Sequence, residues 1–393
     1  MKKIKKIKKF KKIIVTILLI LIIISINKYT YSYQDTNEIL NEQEKTFGIN
    51  SFIENSKKYG GEFFEDIDIN LIFNQALTGN VDNQKITKKG FNLFINEFKT
   101  SLKTITSILT IIIIHTILKS ISENLKDDSI GKIIYYAEYI AIVTVIMTNF
   151  SSIINEVSKT TNNLVGFMNS LIPILISLML YTGNIATTTI LEPIILFTIN
   201  FIGNLINQIL IPITLIIGVL SIVSKIGDKV EIEKLTKFFN KTIIWILGII
   251  LTIFVGIISL EGTLSTSVDG ITAKATKAIV SNTIPIVGKI LGDAVDTVLG
   301  CGIILKNALG FLGVIMILGI SIMPIIKLSV LTITYKILAG ISEPIADKKI
   351  VNLLEQIGDI FKILLAILCS ISVMIIIGTT LVIKMTNSGM MYR

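Results

Sequence analysis

The sequence predicts an all-α, polytopic helical membrane protein, and three observations carry that prediction. Hydrophobic residues fill 51% of the 393 positions and charged residues only 17%, below the roughly 25% usual for a soluble domain. The mean hydropathy is +0.75. Apolar windows of bilayer-spanning length then recur from residue 102 to residue 383.

The chain opens with MKKIKKIKKFKKIIVTILLILIIISINKYTYS, a lysine-rich start followed by an apolar core over 13–26. That core is shorter than the roughly 20 residues of a comfortable spanning helix. Residues 1–32 therefore read as a signal-like leader or an N-terminal anchor, its lysines held in the cytoplasm. Residues 33–102 are mixed and polar, with apolar positions at helical spacing in INSFIENSKKYGGEFFEDIDINLIFNQAL and FNLFINEFKTSLKTI. They read as a small extracytoplasmic helical region, either a cap on the membrane part or a docking surface.

The membrane part divides into 103–260 and 308–393, around a Gly-rich amphipathic or re-entrant segment at 261–307. Its apolar windows are 102–121, 133–154, 164–181, 187–207, 209–223, 242–260, 308–326 and 361–383. With the region after the leader outside, segments 119–132, 224–241 and 327–362 fall inside and hold three, five and five lysines. The outside turn expected at 155–163 holds one. That distribution follows the positive-inside rule.

Ionisable and helix-breaking residues inside these windows are the candidate functional positions, because a charge in hydrocarbon is costly and turns inward. Glu138, Glu192 beside Pro193, and Glu261 are such acids. Asp293 and Asp296 lie one helical turn apart, preceded by Pro285 and Gly288, a pattern that suits a re-entrant or broken helix. Gly288 and Gly292 form a small-xxx-small pair that permits close helix approach. The two aspartates read as lining a polar path or contacting Lys306 or Lys336. NSLIPIL at 169–175 echoes SNTIPIV at 281–287, and LEPII at 191–195 echoes SEPIA at 342–346. Transporters often carry such internal repeats.

Other classes are excluded. The net charge is +9, but eight of the positive charges are lysines within the first twelve residues, so the remainder carries about +1. No basic face for nucleic acid follows from that balance. Cys301 and Cys369 both sit in apolar runs and form neither a disulfide framework nor a CxxC metal pair. His115 is the single histidine, which removes a two-histidine zinc helix and leaves a packing role within its apolar helix. No GxxxxGK[ST] loop occurs. The sequence therefore predicts no catalytic set, no metal site and no cofactor.

The stretches EGTLSTSVDGITAKATK, IPIVGKILGDAVDTVLGCGIILKNALG and LTITYKILAGISEPIAD, with KKYGGEFFED upstream, resemble the stage III sporulation protein AE family. Lys274 stands where that family commonly has arginine, in line with a chain whose single arginine is Arg393. The resemblance implies a multi-pass protein of the mother-cell membrane surrounding the forespore, with 33–102 facing the intermembrane space. It further implies a subunit of a channel or secretion-like complex. The implied partners are other stage III sporulation membrane proteins, a forespore-side complex, the lipid bilayer and further copies of the chain. Two other readings stay open: a secondary transporter acting alone and a non-conducting scaffold.

Overall fold

The computed structural model describes residues 36–65, 67–79, 83–124, 128–225, 234–257 and 288–388. Among the described residues every regular element is helical. Three short helices come first: α1 (Thr36–Thr46), α2 (Ile49–Gly60) and, after a 3-10 turn at Gly61–Phe64, α3 (Ile69–Thr78). Long helices follow: α4 (Asn83–Asn124), α5 (Asp128–Tyr181), α6 (Ile185–Leu205), α7 (Ile211–Val223), α8 (Lys234–Ile257), α9 (Gly288–Ser342) and α10 (Lys348–Ser388). Among the described residues six stretches are long and apolar enough to cross a membrane, with α6 and α7 counted as one. The protein is an all-α, polytopic membrane protein. The leader at 1–32 lies outside the described residues.

Two boundaries differ from the sequence expectation. The turn expected at 155–163 is the interior of α5. That segment holds neither glycine nor proline, and Ile153, Val157, Thr160, Thr161 and Leu164 continue a buried stripe at helical spacing. Only the opposite face turns polar, so the window pair 133–154 and 164–181 is one helix. The pair 187–207 and 209–223 is likewise continuous, through a π turn at Ile206–Leu210 where the Ile211 N–H bonds the Ile206 carbonyl. Pro212 accounts for the extra residue: it has no N–H to donate, and its ring crowds the carbonyl four residues back.

The break expected in 261–307 is absent over its described part. Residues 288–307 run without interruption into 308–342 as α9, and 258–287 lie outside the described residues. Of the proposed repeat, Pro193 sits inside α6 whereas Pro344 sits in the turn between α9 and α10, and 281–287 lie outside the described residues.

The core is built on the hairpin of α9 and α10, with α5 laid against both. Glycines on α9 let neighbours approach. A Cβ on Gly313 would fall 2.6 Å from the Leu171 side chain, and one on Gly310 or Gly319 would run into Ile383 or Phe64. Through Gly319 and Gly166 the N-terminal helices are set into the bundle, where Phe63, Phe64 and Tyr59 occupy the missing side chains' space. Phe52 and Tyr59 both pack on Phe167 of α5.

The start of α5 meets the end of α7, and α4 meets the α9–α10 turn. The Tyr135 hydroxyl donates to the Lys225 carbonyl at 2.8 Å, and Thr116 donates to the Ile345 carbonyl at 3.0 Å. The α5–α6 turn, with Gly183 at φ 85°, lies at the other end, beside Gly302.

Candidate functional site

A helix of 54 residues such as α5 is about 80 Å long at 1.5 Å per residue, against a hydrocarbon thickness of about 30 Å. A single bilayer therefore cannot cover it, and the polar groups along its length become informative. They concentrate near its middle. Glu156 pairs with Lys327 of α9 at 2.7 Å, both partly exposed. On the neighbouring face a ladder of amides joins α5 to α6 and the π turn. Ser158 donates to Asn207 at 2.8 Å, Asn207 to Asn162 at 2.9 Å, and Asn169 and Asn200 exchange two bonds at 3.1 and 3.0 Å.

The ladder follows from spacing. Asn162 and Asn169 are seven residues apart, as are Asn200 and Asn207, so each pair shares a helix face. Antiparallel packing then matches the two pairs in register. Gly203, which leaves room for Val165 between the two rungs, lets the helices close. Asn204 and Gln208 continue the polar stripe on the exposed side. These side chains offer donors and acceptors without charge. They can bind polar groups or a neighbouring helix; they supply no nucleophile.

A second polar centre sits near the start of α5, close to the end of α7. His115 of α4 and Glu138 of α5 face each other with Nδ1 and Oε2 2.9 Å apart, and both side chains are almost wholly buried. Tyr139, one residue on, donates its hydroxyl to the Ile222 carbonyl, and Lys349 lies 5.5 Å from the centre of the Tyr135 ring. The sequence marks Glu138 as an intramembrane acid and His115 as a packing residue. That they meet depends on how α4 and α5 are registered, which no local pattern encodes. The amide ladder was missed for a different reason: its seven-residue spacing is visible in the sequence, but neutral amides carry no charge to draw attention.

The other predicted positions are placed as follows. Gly288 starts α9, and Gly292, Asp293 and Asp296 lie in its first turns; the side chains of 288–296 lie outside the described residues, as do Pro285 and Glu261. Glu192 is half-buried on α6 beside Pro193. Lys306 is fully buried in α9, its Nζ 3.4 Å from the Ile383 carbonyl of α10. It stands ten residues, about 15 Å along the same helix, from Asp296, and the expected contact of the aspartates with Lys306 or Lys336 lies outside the described residues. Lys336 pairs with Asp359 at 2.8 Å and Glu355 at 3.6 Å. Both acids belong to α10, which runs antiparallel beside it.

Comparison with known proteins gives a consistent answer. The family model for stage III sporulation protein AE matches residues 67–386. The stage III sporulation protein AE of Bacillus subtilis (strain 168) is 29% identical over 310 residues, covering 79% of this chain and 78% of that protein. No solved structure matches. The matched region takes in α3 through nearly all of α10, and with it the helix hairpin, the amide ladder and the His115–Glu138 pair. On that coverage the chain belongs to the stage III sporulation protein AE family.

Proposed function

We propose that this chain is the polytopic membrane subunit of the channel or secretion-like complex that links mother cell and forespore and that forespore development requires. In this reading it lies in the mother-cell membrane around the forespore. Residues 33–102 face the intermembrane space, and its partners are other stage III sporulation membrane proteins and a forespore-side complex. The observation that carries the proposal is the amide stripe of α5, α6 and the π turn, which presents polar groups on the outer surface of apolar helices. Hydrocarbon cannot satisfy such groups, so protein or water covers them.

Among the described residues, apolar side chains of α5, α9 and α10 fill the core, which favours a polar path formed with a neighbouring chain along the stripe over one through the single bundle.

The test replaces Asn204 and Gln208 together with leucine. Both are exposed, so a lipid-facing stripe gains from the change and membrane level holds or rises. A stripe that faces a path or a partner loses spore yield and forespore gene expression at undiminished membrane level. Normal sporulation in the double variant would sink the proposal. Loss of co-purifying partners with normal levels would move it to the scaffold reading.

A further inference from the structure

We infer that His115 and Glu138 form a proton-binding site, whose ligand is one proton held between the imidazole Nδ1 and the Glu138 carboxylate. This goes beyond the proposed function and does not depend on it. The two atoms are 2.9 Å apart on facing helices, with 4% and 1% of the side chains exposed. Among the described residues neither carboxylate oxygen accepts a hydrogen bond, and the Nδ1 of His115 makes none, so the two groups approach closely without another polar partner for those atoms. A buried carboxylate without donors is an expensive arrangement, and so is a buried imidazolium without an anion. The pair escapes both costs when it holds a single shared proton, because the net charge is then zero whichever partner carries it. Removing that proton leaves a buried negative charge; adding a second leaves a buried positive one.

The surroundings support a site that exchanges its proton. Lys119 follows His115 by one turn on α4 and is exposed. Asp347, in the turn between α9 and α10, is half-exposed and interacts electrostatically with both members. Its Oδ1 accepts the Lys349 N–H at 2.9 Å, which fixes it at the start of α10. Tyr135 and Tyr139 direct their hydroxyls to the Lys225 and Ile222 carbonyls at the end of α7 rather than to the carboxylate. Tyr136 on α5 is exposed, and Lys349 of α10 is engaged over the Tyr135 ring. Asp347 and Lys119, of opposite charge, both act electrostatically on the pair. The site lies between α4 and α5, beside the α9–α10 turn and the end of α7, so its charge bears on how these five helices hold together.

The chain contains one histidine, which makes the test direct. Full-length protein labelled with 15N-histidine, purified through a tag without histidine and placed in lipid nanodiscs, gives ring signals from His115 alone. At neutral pH the native protein should show either a doubly protonated ring or the infrared band of a protonated carboxyl that Glu138→Gln removes. In Glu138→Gln the ring should become uncharged, and Asp347→Asn should change the pH at which the native signal moves. If Glu138→Gln does not accumulate, Glu138→Asp, which draws the carboxylate back, should still alter the ring spectrum. A neutral ring with no such carboxyl band in the native protein, or ring spectra identical in native and Glu138 variants across the pH range, would falsify the site.

Discussion

An asparagine side chain brings two donors and an acceptor oxygen with two lone pairs, so the reciprocal Asn169–Asn200 pair engages one N–H and one lone pair of each amide and leaves further capacity on both. Hydrogen bonds between membrane helices contribute about 0.6 kcal/mol on average and up to about 1.7. Replacing either residue with alanine, then both, should therefore give a coupling of about 0.5–1.5 kcal/mol in a double-mutant cycle on reversible unfolding in bicelles. A coupling near zero would mean that water or another protein group serves the amides equally well. The aspartates of α9 invite a different test, because Asn keeps the shape of Asp while deleting its charge. Replacing Asp293 and Asp296 together with Asn should lower spore yield more than Asp269→Asn in the preceding segment, at equal membrane level. Side chains that merely sit in water tolerate such changes within about 0.5 kcal/mol, so normal sporulation would remove the pair from any polar path. Single residues were legible in the sequence where they carry charge. What was not legible was who meets whom: Lys336 finds Asp359 and His115 finds Glu138 only through helix register.

At the scale of elements, apolar windows located the long helices because composition alone distinguishes 20 residues of isoleucine and leucine from a loop. The joints between windows were less legible. A polar patch in a window reads as a turn, yet at 155–163 it is one face of a continuing helix whose other face stays buried. Pro212 reads as a break, yet a π turn absorbs it. The docking of α2 and the 3-10 turn onto α9 was invisible, because it depends on Gly319 leaving space for an aromatic from a distant segment. That contact makes a prediction. Gly319→Val places two methyl groups where the Phe64 ring lies and should destabilise the docked segment by about 1–3 kcal/mol, the usual cost of overpacking. Limited proteolysis of the purified protein should then cut within 61–68 faster than in the native chain while the long helices stay protected. Gly340→Val, at a position with open space beside it, should leave the cutting rate unchanged.

For the whole molecule, the six-helix arrangement and the eight-window reading of the sequence disagree at one testable place. Eight crossings put the turn between α5 and α6 inside the cell; six put it outside, because α5 and the α6–α7 pair each cross once. Both keep the α4–α5, α7–α8 and α9–α10 connections on one side. That agreement arises because merging two windows twice removes crossings in pairs. The lysine pattern is therefore satisfied equally by either count and cannot decide between them. Packing favours six: the start of α5 meets the end of α7 through Tyr135 and Lys225, α4 meets the α9–α10 turn through Thr116 and Ile345, and the Gly183 turn lies at the opposite end against Gly302. In a background with Cys301 and Cys369 replaced, single cysteines at Glu54, Ile185, Lys229 and Glu343 can be probed with a membrane-impermeant thiol reagent on intact cells. Ile185 is exposed beside the turn and Glu343 is exposed in the α9–α10 connection, so access to reagent depends on the side rather than on burial. Six crossings with an outside N-terminal region predict labelling at Glu54 and Ile185 without permeabilisation, and at Lys229 and Glu343 only after it. Labelling of Glu54 without Ile185 would restore the eight-window topology and require α5 to be broken within 155–163.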